Sequence, residues 1–191
     1  MLKYKDDLIQ VRDILWDGGL ILYPTDTIWG IGCDATNTAA IDKIFALKGR
    51  PSSKSLILLV DSLEMLHEYA AAVPPKVDAL LRVHDRPLTV VYDKATNLPA
   101  AAVAENGSVA IRVTRDGFCR DLIQLLGKPL TSTSANVHGT PFPRFFGEVG
   151  SDIIEGVDYV VRHCREDQTP SAPSVIARFK DSDKELEFLR E

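Results

Sequence analysis

"FALKGRPSSKSLILLV", Phe45 to Val60, is the stretch on which the fold turns. Its first residues complete an apolar series, Ile41, Ile44, Phe45 and Leu47, that recurs at helical spacing behind a cap at Asn37 or Thr38. Gly49 ends that helix, and "SLILLV" then reads as a short, wholly apolar strand buried on both faces. A helix feeding a doubly buried strand is the building unit of an α/β sheet. Between the two, Lys48, Arg50 and Lys54 stand with Ser52, Ser53 and Ser55 in eight residues, and Gly49 and Pro51 fix the turn.

Working outward from this stretch, the same alternation continues. Leu8, Val11, Ile14 and Leu15 predict a helix over 6–17, stopped at Gly18-Gly19 and followed by strands at "LILY" and "IWGIGC". Further helices are predicted over 62–71, 75–83 and 118–126, with a short one over 143–149. Strands are predicted at "PLTVVYD", "GSVAIRVT", "KPLTSTSAN", "DYVVRH", "PSVIARF" and "ELEFLR", and 97–106 reads as loop. Late hairpin-like strands make the order mixed rather than purely parallel. With no composition shift along 191 residues, the chain reads as one domain, 1–191.

Composition excludes several classes. The 22 basic against 27 acidic residues give a net charge of −5, which argues against a dominant cationic face for nucleic acid while leaving room for a local basic pocket. The longest apolar runs are too short to span a bilayer, and the charged start is unlike a signal peptide, so a cytoplasmic protein with no membrane partner is expected. Three widely spaced cysteines, Cys33, Cys119 and Cys164, suit reduced thiols, and neither they nor the four histidines show metal-ligand spacing. His163 and Cys164, adjacent on a presumed strand, point to opposite faces. Trp16 and Trp29 read as packing residues.

Chemistry concentrates at three strand ends. The cations and hydroxyls of 48–55 suit a phosphate or carboxylate, or else a solvated helix end where cations favour the dipole. A P-loop is excluded, because "GRPSSKS" lacks the second glycine and follows a helix instead of preceding one. In "LTSTSANVHGTPFP", Ser132, Ser134 and Asn136 share one parity and would line one cleft, or else form a turn by bonding their own backbone. "YPTDT" places Thr25 and Thr27 beyond a third strand, and loops beyond strand ends form the ligand crevices of open α/β sheets.

"YPTDTIWGIG", "KGRP" and "STSANVHGTP", in this order and with "VAIRV", "PSVI" and "FLR", resemble the YrdC-like family of threonylcarbamoyl-AMP synthases over nearly the whole chain. The resemblance implies an α/β fold, a twisted mixed sheet flanked by helices around a large concave cavity. It implies a nucleotidyltransferase that makes threonylcarbamoyl-AMP and pyrophosphate from L-threonine, bicarbonate and ATP, for threonylcarbamoyladenosine modification of tRNA through a downstream transferase complex. Magnesium would enter on the ATP phosphates, with no protein ligand assigned. By the same resemblance Lys48, Arg50, Ser134 and Asn136 are catalytic and contact ATP together with Ser108 and Arg190. Thr25, Arg112, Ser132 and Ser174 would hold L-threonine, with Arg112 on its carboxylate.

The chain departs from the family pattern at His84-Asp85-Arg86, Ser55, Thr114, His138 and Ala177, and its end at Glu191 matches a form without a second domain. Two other functions remain open at this point. One is binding of double-stranded RNA or tRNA by the same fold, and the other is the same chemistry with a different acyl specificity.

Overall fold

In a computed structural model, which describes residues 3–49, 56–180 and 185–190, the strands form one mixed sheet. In chain order the elements are α1 (Leu8–Trp16), β1 (Ile21–Tyr23), β2 (Gly30–Gly32), α2 (Thr38–Lys48), β3 (Ile57–Val60), α3 (Leu63–Tyr69), α4 (Pro75–Val83), β4 (Leu88–Tyr92), β5 (Val109–Val113), α5 (Gly117–Leu126), β6 (Leu130–Ser134), α6 (Ser151–Glu155), β7 (Tyr159–Val160), β8 (Val175–Lys180) and β9 (Glu185–Arg190). Across the sheet they run β7-β1-β2-β6-β3-β5-β4-β8-β9. The β3–β5, β4–β8 and β1–β7 pairs are parallel and the rest antiparallel.

Local signals place most helix ends. Asn37, not Thr38, caps α2 by accepting from the Ala40 N–H, and Gly49 closes it in the left-handed conformation at φ 57°. Asp116 and Gly127 do the same for α5. The helix expected over 143–149 is instead a 3₁₀ turn at Phe146–Glu148 followed by α6. Pro143 and the glycines at 147 and 150 disfavour a continuous helix, and the Glu148 carboxylate is taken up by the Arg144 N–H and guanidinium. Another 3₁₀ turn, Ala100–Ala102, lies within the expected loop.

Two further expectations fail. β7 ends at Val160, so His163 and Cys164 lie in a turn, Cys164 at φ 60°, where strand parity does not apply. Trp16 is 52% exposed under the Arg12 guanidinium rather than packed in the interior, whereas Trp29 is buried.

Strand alternation divides the core into three clusters. Leu22 and Ile31 pack with α2, while Ile21, Tyr23 and Leu59 face α1 and α5. Leu58, Val60, Val90, Ile111 and Ala177 form the third cluster, with α3 and α4. Gly32 is required where the Tyr23 ring crosses β2, because a Cβ there would stand 2.7 Å from Tyr23 Cε1 and 2.5 Å from the Thr131 carbonyl.

Candidate active site

In the β3–β5–β4–β8 half of the sheet, the residues between the core-facing ones point to the opposite face. Ala110, Arg112, Val91 and Ile176 therefore floor a cavity of about 280 Å³ instead of packing under helices, and Ile57, which also packs against the α1–α5 cluster, borders it. Its walls are Thr27 and Gly30 at β2, Ser132, Thr133 and Ser134 of β6, and Ser174 and Arg190 beside β8 and β9. Trp29 and Leu56 add apolar surface. The lining is apolar with a few convergent polar groups, which is the usual composition of a small-molecule site.

Arg112 is the dominant charge in that floor. Its side chain is 3% exposed, and neither Nε nor Nη2 has a hydrogen-bond partner among the described residues. Asp26 Oδ1 stands 3.0 Å from Nη2, off the line of the N–H, so the two carry an ion pair without a formed hydrogen bond. The other Asp26 oxygen accepts from the Thr114 hydroxyl and the Arg115 N–H, at 3.3 Å each. Arg190 approaches from β9, donating to the Ser174 carbonyl from Nε at 3.1 Å and from Nη2 at 2.8 Å. Burial and, second to it, the Arg112 charge hold the Arg190 guanidinium below its ordinary pKa, so the two cations share one wall. The Ser174 hydroxyl is bonded to Thr89 Oγ1 at 2.8 Å. A buried guanidinium with two nitrogens lacking hydrogen-bond partners, beside serine hydroxyls, suits a carboxylate.

The other expected site residues are distributed less simply. Ser132 and Ser134 line the cavity, but β6 ends at Ser134, so Asn136 does not continue their row. Its Nδ2 donates to the carbonyls of Val137 and Thr140 and shapes the turn. Lys48 is 2% exposed and bonds the carbonyls of Ser134 and Asn136, while its own carbonyl accepts from the His138 N–H. It thus stitches the end of α2 to the end of β6 and is not among the lining residues. Arg50 lies outside the described residues, as do Ser52, Ser53, Lys54 and Ser55.

Thr25 bonds Thr27 Oγ1 and the Ile28 carbonyl, holding the turn that presents Thr27, and itself faces a neighbouring cleft. The Ser108 hydroxyl donates to Asn106 Oδ1 in the loop before β5, away from the cavity lining. Asp26 and Gly30 are site residues that pattern reading missed, whereas Thr27 lies where it was expected. The signal for Asp26 was available: a lone carboxylate in "PTDT" that needs a partner once the strand end is buried.

Comparison with known proteins identifies the family. The Sua5/YciO/YrdC family, described as "Telomere recombination", matches residues 13–191. The chain belongs to this family. Among members, the threonylcarbamoyl-AMP synthase of Pseudoalteromonas translucida is 35% identical over 150 residues, 77% of this chain and 80% of that protein. The synthase of Vibrio parahaemolyticus is 37% identical over 139 residues, 71% and 75% respectively. The solved Sua5 of Pyrococcus abyssi complexed with L-threonine superposes with a TM-score of 0.83 at 25% identity, over 97% of this chain and 55% of that one. The chain therefore spans about half the length of that Sua5. E. coli YciO, at 22% identity and a TM-score of 0.82, shares the fold. The twisted mixed sheet expected from the motifs is thus the Sua5/YciO/YrdC fold, and no helix among the described residues is long and apolar enough to cross a membrane.

Proposed function

We propose that this Sua5/YciO/YrdC protein is a threonylcarbamoyl-AMP synthase, joining L-threonine, bicarbonate and ATP and releasing pyrophosphate. The observation that carries the reading is the buried Arg112 guanidinium, with two atoms lacking hydrogen-bond partners in a cavity of amino-acid size. Support comes from relatives that bear this name at 35% and 37% identity, and from a solved relative holding L-threonine.

In this reading Arg112 takes the threonine carboxylate, with Ser132 and Ser174 beside it. Arg190 steadies Ser174 and adds positive potential to the wall, beside the ATP contact expected of it. The triphosphate extends from Ser134 toward the α2 terminus, where Arg50 follows Gly49 in sequence. Lys48 holds the Ser134–Asn136 backbone that borders it. Magnesium arrives as part of the substrate, bound to phosphate oxygens, and no residue is assigned to it.

The threonine amine captures the carbon of bicarbonate and loses water to give a carbamate. A carbamate oxygen then attacks the α-phosphorus of ATP, the bond to the β-phosphate oxygen breaks, and pyrophosphate leaves. The chain supplies position and positive potential rather than a covalent intermediate. The product is a mixed anhydride, an activated carbamoyl donor suited to transfer onto the base amine of a tRNA adenosine.

The test measures pyrophosphate release with MgATP while L-threonine and bicarbonate are omitted in turn. Release should require both, and turnover indifferent to both omissions would end the reading.

A further inference from the structure

The ion pair between Asp26 and Arg112 carries a role that the chemistry above does not use. A buried guanidinium beside a second one is a strong anion trap, and two uncompensated cations would favour a dianion such as phosphate over the single negative charge of an amino-acid carboxylate. Arg112 and Arg190 share the cavity wall, Asp26 Oδ1 lies 3.0 Å from Arg112 Nη2, and the Asp26 side chain is 14% exposed. Counting formal charges, two guanidiniums and one carboxylate leave that wall with one net positive charge.

The geometry also keeps Arg112 available. Asp26 is held through its second oxygen by the Thr114 hydroxyl and the Arg115 N–H, at 3.3 Å each. Its first oxygen opposes Arg112 Nη2 as an ion pair without a formed hydrogen bond, and Nε and Nη2, both buried, have no hydrogen-bond partner among the described residues. A missing Asp26 would leave the guanidinium uncompensated.

We infer that Asp26 is a positioning and specificity-determining residue: it holds Arg112 toward the cavity and cancels one of the two guanidinium charges, so that the site accepts a monoanionic carboxylate and rejects phosphate-like dianions. The inference rests on the amino-acid reading of the cavity. It has a functional consequence, because ATP and pyrophosphate occupy the same protein and must be kept out of the amino-acid end.

The experiment compares wild type, Asp26→Asn and Asp26→Glu in the full chain. Calorimetry measures L-threonine binding, steady-state kinetics give KM and kcat, and inorganic phosphate is tested as a competitor of threonine. Asp26→Asn should raise the threonine KM at least about tenfold while kcat moves less than about threefold. It should also make phosphate a competitive inhibitor at concentrations that leave wild type unaffected. Asp26→Glu, which keeps the charge but shifts it by one methylene, should raise the KM without gaining phosphate sensitivity, and it carries the test if Asp26→Asn fails to fold. A folded Asp26→Asn with unchanged threonine KM and unchanged phosphate response overturns the inference, as does Asp26→Glu with wild-type KM. If wild type itself does not bind L-threonine, the amino-acid reading of the cavity falls, and the assignment of Asp26 falls with it.

Discussion

Lys48 shows how a side chain can matter to a site by holding it rather than by touching a ligand. By composition, a lysine beside Arg50 and three serines reads as a phosphate contact. In the fold its ammonium is buried on the carbonyls of Ser134 and Asn136, joining the end of α2 to the end of β6, whose Ser134 lines the cavity. Lys48→Met keeps the length and removes the donors, leaving buried carbonyls unsatisfied, at a cost of about 1–3 kcal/mol. Urea unfolding should therefore show a lower midpoint for Lys48→Met, together with lost turnover. A variant with wild-type stability and no activity would instead put the ammonium on the phosphates. The distinction was not legible in sequence, because residue type specifies a charge and not the carbonyls that receive it. Arg112 was legible as a positive charge in a strand and, through the family motifs, as the expected partner of the threonine carboxylate. Its burial and its off-line partner Asp26 depend on which face of β5 meets the core.

At the scale of elements, alternation did most of the work. Val109, Ile111 and Val113 of β5 belong to the α3–α4 cluster, which leaves Ala110 and Arg112 to the cavity side. β4 obeys the same rule, with Leu88, Val90 and Tyr92 inward and Val91 toward the ligand space. Both strands were readable as strands, yet neither announced which side would be left uncovered. Helix ends were more local. The Asn37 cap on α2 accepts from Ala40 N at 3.1 Å, and Asn37→Ala should cost about 1 kcal/mol. A thermal melt would register it, and the threonine KM should stay at its wild-type value, since Lys48 lies at the other end of α2. A changed KM with unchanged melting temperature would mean that the cap orients the site and does not merely stabilise the helix. Asn136 marks the limit of alternation: the parity argument carried it one step past the end of β6, where its amide bonds the turn instead.

Across the whole molecule, the cavity is assembled from parts far apart in the chain: Thr27 near one end, Arg112 and Ser132 in the middle, Ser174 and Arg190 at the other. Ligand binding should therefore stabilise the whole domain. By linkage, L-threonine at 100 times its Kd adds about 2.7 kcal/mol, and the melting temperature should rise accordingly. Arg112→Ala should abolish that rise, and a variant that retains it would remove Arg112 from the threonine site. The strand identities, the longer helices, the Gly49 stop of α2 and the family motifs were determined by the amino-acid sequence alone, because they depend on periodicity and local backbone chemistry. What the tertiary structure decided was the pairing of Asp26 with Arg112, the approach of Arg190 to Ser174 and the burial of Lys48. Each is a contact between residues brought together by sheet order, and sheet order comes from packing across the molecule and not from any local run of residues.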